Sequence, residues 1–173
     1  MKIYNFLDDT IIYEDDSTTM KETVENAVKQ GVSLERANLK CTDLQGADLK
    51  SANLYNANLE GANLFCANLQ DTNLSYAVLH YANLKHANLK NADLRDSFLG
   101  HADLKNAYLR NADLRNAKLE NTNLENTYLE DTSLKNAYFN ETILSFDILK
   151  FSRIEGDCII KIGNTEYLLT KKD

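Results

Sequence analysis

Three histidines and three cysteines are the residues of this 173-residue chain with the widest chemical repertoire. Imidazole and thiolate together hold zinc, four of them in a structural site or three plus water in a catalytic one. Cys66 and His86 stand twenty residues apart, and a chain that returned to the same place every twenty residues would make them neighbours at about 5 Å. The next members of that series are Gly46 and Asn106, so two ligands meet there and no third joins them. Cys41, Cys158, His80 and His101 belong to other series. Paired carboxylates are plentiful, but general acid–base work needs a cleft that desolvates one of them. Glycine-rich phosphate loops and nucleophile elbows are missing from the sequence. No catalytic, cofactor-binding or metal-binding residue is assigned, and an enzyme is not expected.

The elements that would position such residues are set by a repeat. From Leu34 to Leu144 every fifth residue is Leu, with Phe139 the sole exception among 23 positions. Two residues before each, from Ala37 to Thr142, stand 15 Ala, six Thr and one Ser. A period of five fits neither an α-helix nor a flat strand. The chain must instead turn a corner in each repeat, and four sides make a square coil of about 20 residues. Coils stacked through backbone hydrogen bonds rise by about 4.8 Å each, so about six coils give a rod of roughly 28 Å. Leu points inward as the large filler and Ala, Thr or Ser as the small one. Burying each Leu contributes about 1.5–3 kcal/mol. Directly ahead of the Leu, 14 of 23 positions are Asn or Asp, whose short side chains can bond the turn backbone where glycine is scarce.

Runs such as Ala47-Asp48-Leu49-Lys50-Ser51, Ala62-Asn63-Leu64-Phe65-Cys66 and Ala112-Asp113-Leu114-Arg115-Asn116 resemble the pentapeptide-repeat consensus A(D/N)LXX. The resemblance covers about two thirds of the chain without a break. It implies an all-β solenoid, a right-handed quadrilateral β-helix, with the handedness coming from the family and not from the spacing.

Three segments follow. Residues 1–31 form an N-terminal cap, 32–150 the repeats and 151–173 a C-terminal element. In the cap, Thr19-Met20-Lys21-Glu22 reads as a capping box and Gly31 as a stop. Between them Met20, Val24, Ala27 and Val28 share one face of an amphipathic helix. Ile3 to Leu7 and Thr10 to Tyr13 read as two short strands about Asp8-Asp9. At the other end, Cys158 to Ile162 and Glu166 to Leu169 flank Gly163-Asn164 as a hairpin. Ile160, Ile162, Tyr167 and Leu169 would cover the last coil or pair with the same element of a second chain, giving a homodimer.

The totals narrow the setting. Nineteen basic against 26 acidic residues leave a net charge of -7, which disfavours direct nucleic-acid or anionic-membrane binding. The first sixteen residues are too charged for a signal peptide and no stretch is apolar enough to span a membrane. Three scattered cysteines suit a reducing, cytoplasmic setting better than a disulfide framework. No cofactor is expected.

Function should then lie where the outward residues stop being generic. Past residue 95 the pre-leucine positions include Phe98, Tyr108, Tyr128, Tyr138, Ile143 and Ile148. Spacing by twenty puts Tyr108, Tyr128 and Ile148 in one column, and Val78, Phe98 and Tyr138 in another that Lys118 interrupts, on opposite sides of the square. Tyr55, Phe65, Tyr76 and Tyr81 add scattered aromatic surface. Such columns suit contacts with a protein partner, and also stabilise a stack by packing on one another. Lys85, Lys90, Arg95, Lys105, Arg110, Arg115 and Lys118 form a basic belt ahead of an acidic stretch. The family resemblance brings a further alternative, DNA mimicry directed at DNA gyrase, with topoisomerase modulation or quinolone protection. Duplex DNA would place roughly 16 charges on 28 Å, whereas residues 32–149 carry 15 acidic and 11 basic side chains, a net of -4. The Thr residues point inward, so a flat ice-binding Thr face is not formed. The leading reading is a rigid, non-enzymatic protein-interaction module with an unidentified protein partner. A purely structural spacer is the remaining alternative.

Overall fold

The structure, a computed structural model, describes residues 1–143 and two further strands at 158–162 and 165–169. Its organising feature is a parallel bridge every twenty residues. Each pre-leucine residue from Asn38 to Asn123 bridges its counterpart one coil later, Asn38 with Asn58 through Asn123 with Ile143. Four such series, one per side, make the square coil that the period of five requires.

The repeat accounts for all five of its backbone N–H groups. Around Leu39, the leucine amide donates to the Asn58 carbonyl at 2.8 Å, and the Cys41 amide to the Glu60 carbonyl at 2.8 Å. The Thr42 amide closes a four-residue turn on the Leu39 carbonyl at 3.2 Å. One coil on, the Asn58 amide reaches back to the Ala37 carbonyl at 2.9 Å. The fifth amide, that of Lys40, donates to Asn38 Oδ1 at 3.4 Å. The same side-chain bond recurs under Asp43, Asp48 and Asp103 at 3.1–3.3 Å. Buried backbone groups need such partners, and here the pre-leucine Asn or Asp supplies the one that no neighbouring coil can.

The corner residue two after each leucine has positive φ at every repeat from Arg36 to Glu141. One positive φ at the third position of the turn is the type II geometry. Only Gly46 and Gly61 are glycine there, and asparagine, which tolerates left-handed backbone, is the commonest occupant. The sequence reading credited the glycine-poor turns to the pre-leucine residue alone. The corner residue carries an equal part, because its amide bond to the next coil holds a conformation that is costly for most side chains.

Inside, the leucines from Leu34 to Leu134 are sealed from solvent, as is Phe139. Threonine is tolerated in this core because its hydroxyl has an acceptor. Thr72, Thr122, Thr132 and Thr142 donate to the Leu49, Leu99, Leu109 and Leu119 carbonyls at 2.6–3.1 Å.

At the N-terminal end, β1 (Lys2–Tyr4) pairs antiparallel with β2 (Ile11–Glu14), and α1 (Met20–Lys29) follows. Both strands are shifted from their sequence-predicted bounds. The expected continuation to Leu7 fails because the chain folds back at Asn5: the Asp9 amide donates to the Asn5 carbonyl and the Leu7 amide to Asn5 Oδ1, both at 2.9 Å. The Asp8 carboxylate takes the Thr10 amide and hydroxyl into the same turn. Thr19 caps α1, accepting the Glu22 amide at 3.2 Å, and Val24 and Ala27 are buried with Met20 and Val28 packed beside them. This unit lies on the first coil: the Asn38 amide donates to the Tyr4 carbonyl at 2.7 Å, the Phe6 amide to the Arg36 carbonyl at 3.0 Å, and the Asp48 amide to Glu25. Asp15 ties the unit together, accepting from Ser17, Thr23 and Asn26.

At the other end, β3 (Phe139–Asn140) pairs parallel with β4 (Cys158–Ile162), which pairs antiparallel with β5 (Thr165–Leu169). The hairpin is present as the sequence suggests, with Thr165 added to its second strand. Ile160 sits opposite both Phe139 and Tyr167, Ile162 opposite Thr165, and Leu169 opposite Cys158. The central strand thus continues the parallel stacking of the coils.

Two outcomes follow. Leu89→Ala, in the middle of the ladder, is expected to cost about 2–5 kcal/mol in chemical denaturation; a loss below about 1 kcal/mol would refute a close-packed axis. Hydrogen bonds, that from Asn26 foremost, hold the Asp15 carboxylate well below the usual carboxylate range against the opposing effect of burial. A lowered folded-state pKa gives stability that is complete above the unfolded value, near 4, and is lost as pH falls through the folded one. Asp15→Asn should therefore melt earlier than the parent at pH 7, with the gap closing toward pH 2. A gap that persists or widens in acid would contradict this assignment.

Candidate interaction surface

Outward side chains are ordered by the same coil arithmetic, in columns along the sides and corners. Sides of the Asn/Asp type are self-satisfied. Asn63 Nδ2 donates to Asp43 Oδ1 at 2.8 Å and Asn83 Nδ2 to Asn63 Oδ1 at 3.0 Å, while the Oδ1 of Asp43 and of Asn63 also receives the amide of the residue after the leucine. Little hydrogen-bonding capacity is left over for a ligand on these sides.

The aromatic residues singled out from the sequence behave differently. Phe98, Tyr108, Tyr128 and Tyr138 are 39%, 48%, 51% and 58% exposed. Tyr108 and Tyr128 form a stack, with ring centroids 4.7 Å apart and planes 2° from parallel. Half a coil away, Val78, Phe98, Lys118 and Tyr138 are bridged in succession, and Lys118 Nζ lies 4.0 Å from the centre of the Tyr138 ring. The two columns are not brought together. Ile148 lies outside the described residues, as does Leu144. Each aromatic occupies a place where Asn or Asp would have taken the amide of the residue after the leucine, and no such side-chain bond forms to the Arg110 or Glu130 amide.

Sequence reasoning treated the remaining aromatics as scattered, whereas the structure pairs them at the corners. Tyr81 stacks on His101 at 4.8 Å and 6°. His80 lies 6.1 Å from Phe98 and 6.5 Å from Tyr81. Tyr55 and Tyr76 meet edge to face at 5.6 Å, as do Phe65 and His86. The charge of nearby Asp96, more than burial, raises the Tyr76 phenol above its ordinary value. The signal available was the period of twenty applied to corners as well as sides, since 81 and 101 are one coil apart. Gly100 was a second signal. It lacks a positive φ, and a side chain there would meet the His80 imidazole at 2.8 Å, so the glycine makes room for a ring.

The basic belt is largely neutralised in place. Lys85 pairs with Asp103 at 2.9 Å, Lys105 with Glu125 at 2.8 Å and Arg110 with Glu130 at 3.6 Å. Arg95 and Arg115 fork onto Asp93 and Asp113, and Arg95 also approaches Asp113 at 3.7 Å. Its hydrogen bonds to Asp93, then that residue's charge, push the Arg95 guanidinium up from its ordinary value. Such partly exposed pairs add little stability, but they remove the open row of cations that a phosphate backbone would need. Cys41 and Cys66 are exposed free thiols. Asn106 Nδ2 lies 3.4 Å from His86 Nε2. Among the described residues no group of three His, Cys, Asp or Glu is placed to hold a metal ion. Among them, too, no helix is long and apolar enough to cross a membrane.

Comparison with known proteins places this geometry. No curated protein matches the sequence. Among solved structures, the chain is similar to HetL, a pentapeptide repeat protein involved in heterocyst differentiation regulation in the cyanobacterium Nostoc, at 33% identity and a TM-score of 0.39 over 66% of this chain. The match takes in 56% of HetL, so this chain spans a little over half of that relative's length. A second pentapeptide repeat protein of Nostoc is 32% identical, with a TM-score of 0.45 over 82% of this chain and all of its own. QnrB1, a plasmid-mediated fluoroquinolone resistance protein, is 12% identical and gives a TM-score of 0.50 over 61% of this chain and 53% of its own, a likeness of fold alone. The model of the family described as pentapeptide repeats matches eight copies over residues 30–64, 67–106 and 107–145. The chain therefore belongs to the pentapeptide repeat family, whose members fold as right-handed quadrilateral β-helices.

Proposed function

We propose that this chain is a non-enzymatic, rigid protein-interaction module, a rod of about six coils closed at one end by β1, β2 and α1 and at the other by the β4–β5 hairpin. The observation that carries this reading is the Tyr108–Tyr128 stack, two rings each about half exposed on a convex surface. Packing alone is a weak reason for them. Each replaces a residue that would have bonded the amide after the leucine, and the stack leaves about half of each ring in water. A flat, preorganised aromatic pair loses little conformational freedom on binding, which suits it to anchor a partner. The exposed thiols of Cys41 and Cys66 fit a reducing, cytoplasmic location.

DNA mimicry is the weaker alternative. Its net charge is small for the task, and most cations of the belt already draw a carboxylate into an ion pair. The likeness to QnrB1 supports the fold and lends this alternative nothing further. A homodimer through the C-terminal hairpin is compatible with the module reading. One edge of β4 is taken by β3 of the same chain, so the second copy would add at β5.

A double-mutant cycle on Tyr108→Ala and Tyr128→Ala should give a coupling of about 0.5–1.5 kcal/mol in folding stability. The double variant should also lose partners that the parent captures on an affinity column. Retention of every captured protein would sink the column as a contact surface. Light scattering should give a mass that rises with concentration, and a constant monomer mass would exclude the dimer. In a DNA gyrase supercoiling assay the purified chain should be inert, whereas inhibition at about micromolar concentration would make DNA mimicry the working model.

A further inference from the structure

The corner column that holds Tyr81 has an empty step. Its members, one coil apart, run Cys41, Gly61, Tyr81, His101, Asn121 and Glu141. His101 covers one face of the Tyr81 ring in a near-parallel stack, and the column member one coil before Tyr81 is Gly61. Gly61 has no side chain to cover the other face. A Cβ built there would meet Cys41 Sγ at 3.2 Å and nothing on the Tyr81 side within 4 Å. The other stack of this kind is closed at the same step, since Asn88 precedes Tyr108 in its column and is bonded to Asn68. Among the described residues, Tyr81–His101 is the stacked pair with a glycine beneath it, and Tyr81 is the more exposed ring at 62%.

The gap has a definite height and polarity. The coils of Cys41 and Tyr81 are about 9–10 Å apart at the backbone, and the Cys41 thiol leans into the step between them, 3.2 Å from where a Gly61 Cβ would stand. A planar group in place of the missing Gly61 side chain would lie about one coil step, about 4.8 Å, from the ring. Beside the gap, on the same coil, stands Glu60, whose carboxylate meets Lys40 Nζ at 3.0 Å while remaining 37% exposed. A carboxylate has acceptor sites beyond those that one ammonium uses. A planar cation with several N–H donors satisfies both the open aromatic face and the acid beside it.

We propose that the Gly61 gap receives an arginine side chain of a protein partner, its guanidinium stacked on Tyr81 and hydrogen-bonded to Glu60. The net charge of -7 favours a basic segment over an acidic one. The site rests on the reading of the chain as an interaction module. It uses a corner separate from the Tyr108–Tyr128 side, so either surface can fail without the other.

The test is a titration of the full, isotopically labelled chain with acetyl-Gly-Arg-Gly-amide, followed by NMR, with the lysine analogue as the charge control. The Tyr81 and His101 ring signals should move with the arginine probe, and binding of the lysine probe should be at least about threefold weaker. Tyr81→Ala and Gly61→Asn should each abolish the response. Asparagine already occupies the same left-handed corner at Asn56 and Asn91, so Gly61→Asn fills the gap once the Cys41 thiol, 3.2 Å from the added Cβ, gives way, and unshifted Tyr108 and Tyr128 signals verify that the rod still folds. Tyr108→Ala with Tyr128→Ala should leave the response intact, which separates this site from the proposed aromatic column. Equal response to lysine, a response that survives Gly61→Asn, or no movement at about 10 mM probe would each overturn the assignment.

Discussion

Everything in this rod depends on one repeated constraint: a backbone that must enter the left-handed region at each corner to bring the next leucine back to the axis. L-residues resist that region, and most of the corners here are not glycine. Hydrogen bonds between coils make it tenable. The amide of each corner residue, from Arg36 to Asn121, donates to a carbonyl of the following coil. Corner geometry and stacking are therefore mutually dependent. A single coil could hold neither its turns nor its leucines, which is the nearest-neighbour logic of repeat proteins.

The same constraint explains where function can lie. Among the described residues, leucine, alanine and a few threonines fill the interior. The histidines that looked chemically capable lie on outward columns with aromatic or amide neighbours, and the thiols of Cys41 and Cys66 are exposed. Specificity is left to the pattern of side chains on a surface whose spacing is fixed by the backbone. Ion pairs along the former basic belt make that surface electrically even, and the exposed aromatics are its most distinctive features.

Much of this was legible in the sequence because two periods are superimposed on it. The period of five gives the interior, and its multiple of four gives the columns; the stack of Tyr108 on Tyr128 follows from counting alone. The left-handed corner was less legible, since Asn, Asp, His, Tyr, Cys, Ser and Glu all occupy it and no residue type marks it. Tyr81 over His101 was hidden for the same reason, lying in a column that looks random by composition. The bounds of the N-terminal strands were missed because Asn5 and Asp8 bond their own local backbone, a choice that alternating hydrophobicity does not reveal. The hairpin was plain from Gly163-Asn164, but its parallel attachment to Phe139–Asn140 is a long-range pairing that local signals do not carry.

The four-sided coil also works as a counter. Inserting or deleting one five-residue unit would preserve every leucine contact, every corner and every inter-coil bond, yet it would turn all that follows by a quarter revolution. Tyr128 would then stand above a different neighbour, and an aromatic side beyond the change would move to the adjacent side of the square relative to the helix at the start. Insertions of twenty residues would lengthen the rod and leave all bearings unchanged. Such a chain can acquire a new surface by copying a unit, with no substitution and little cost to its core, so the number of repeats is itself a heritable determinant of recognition.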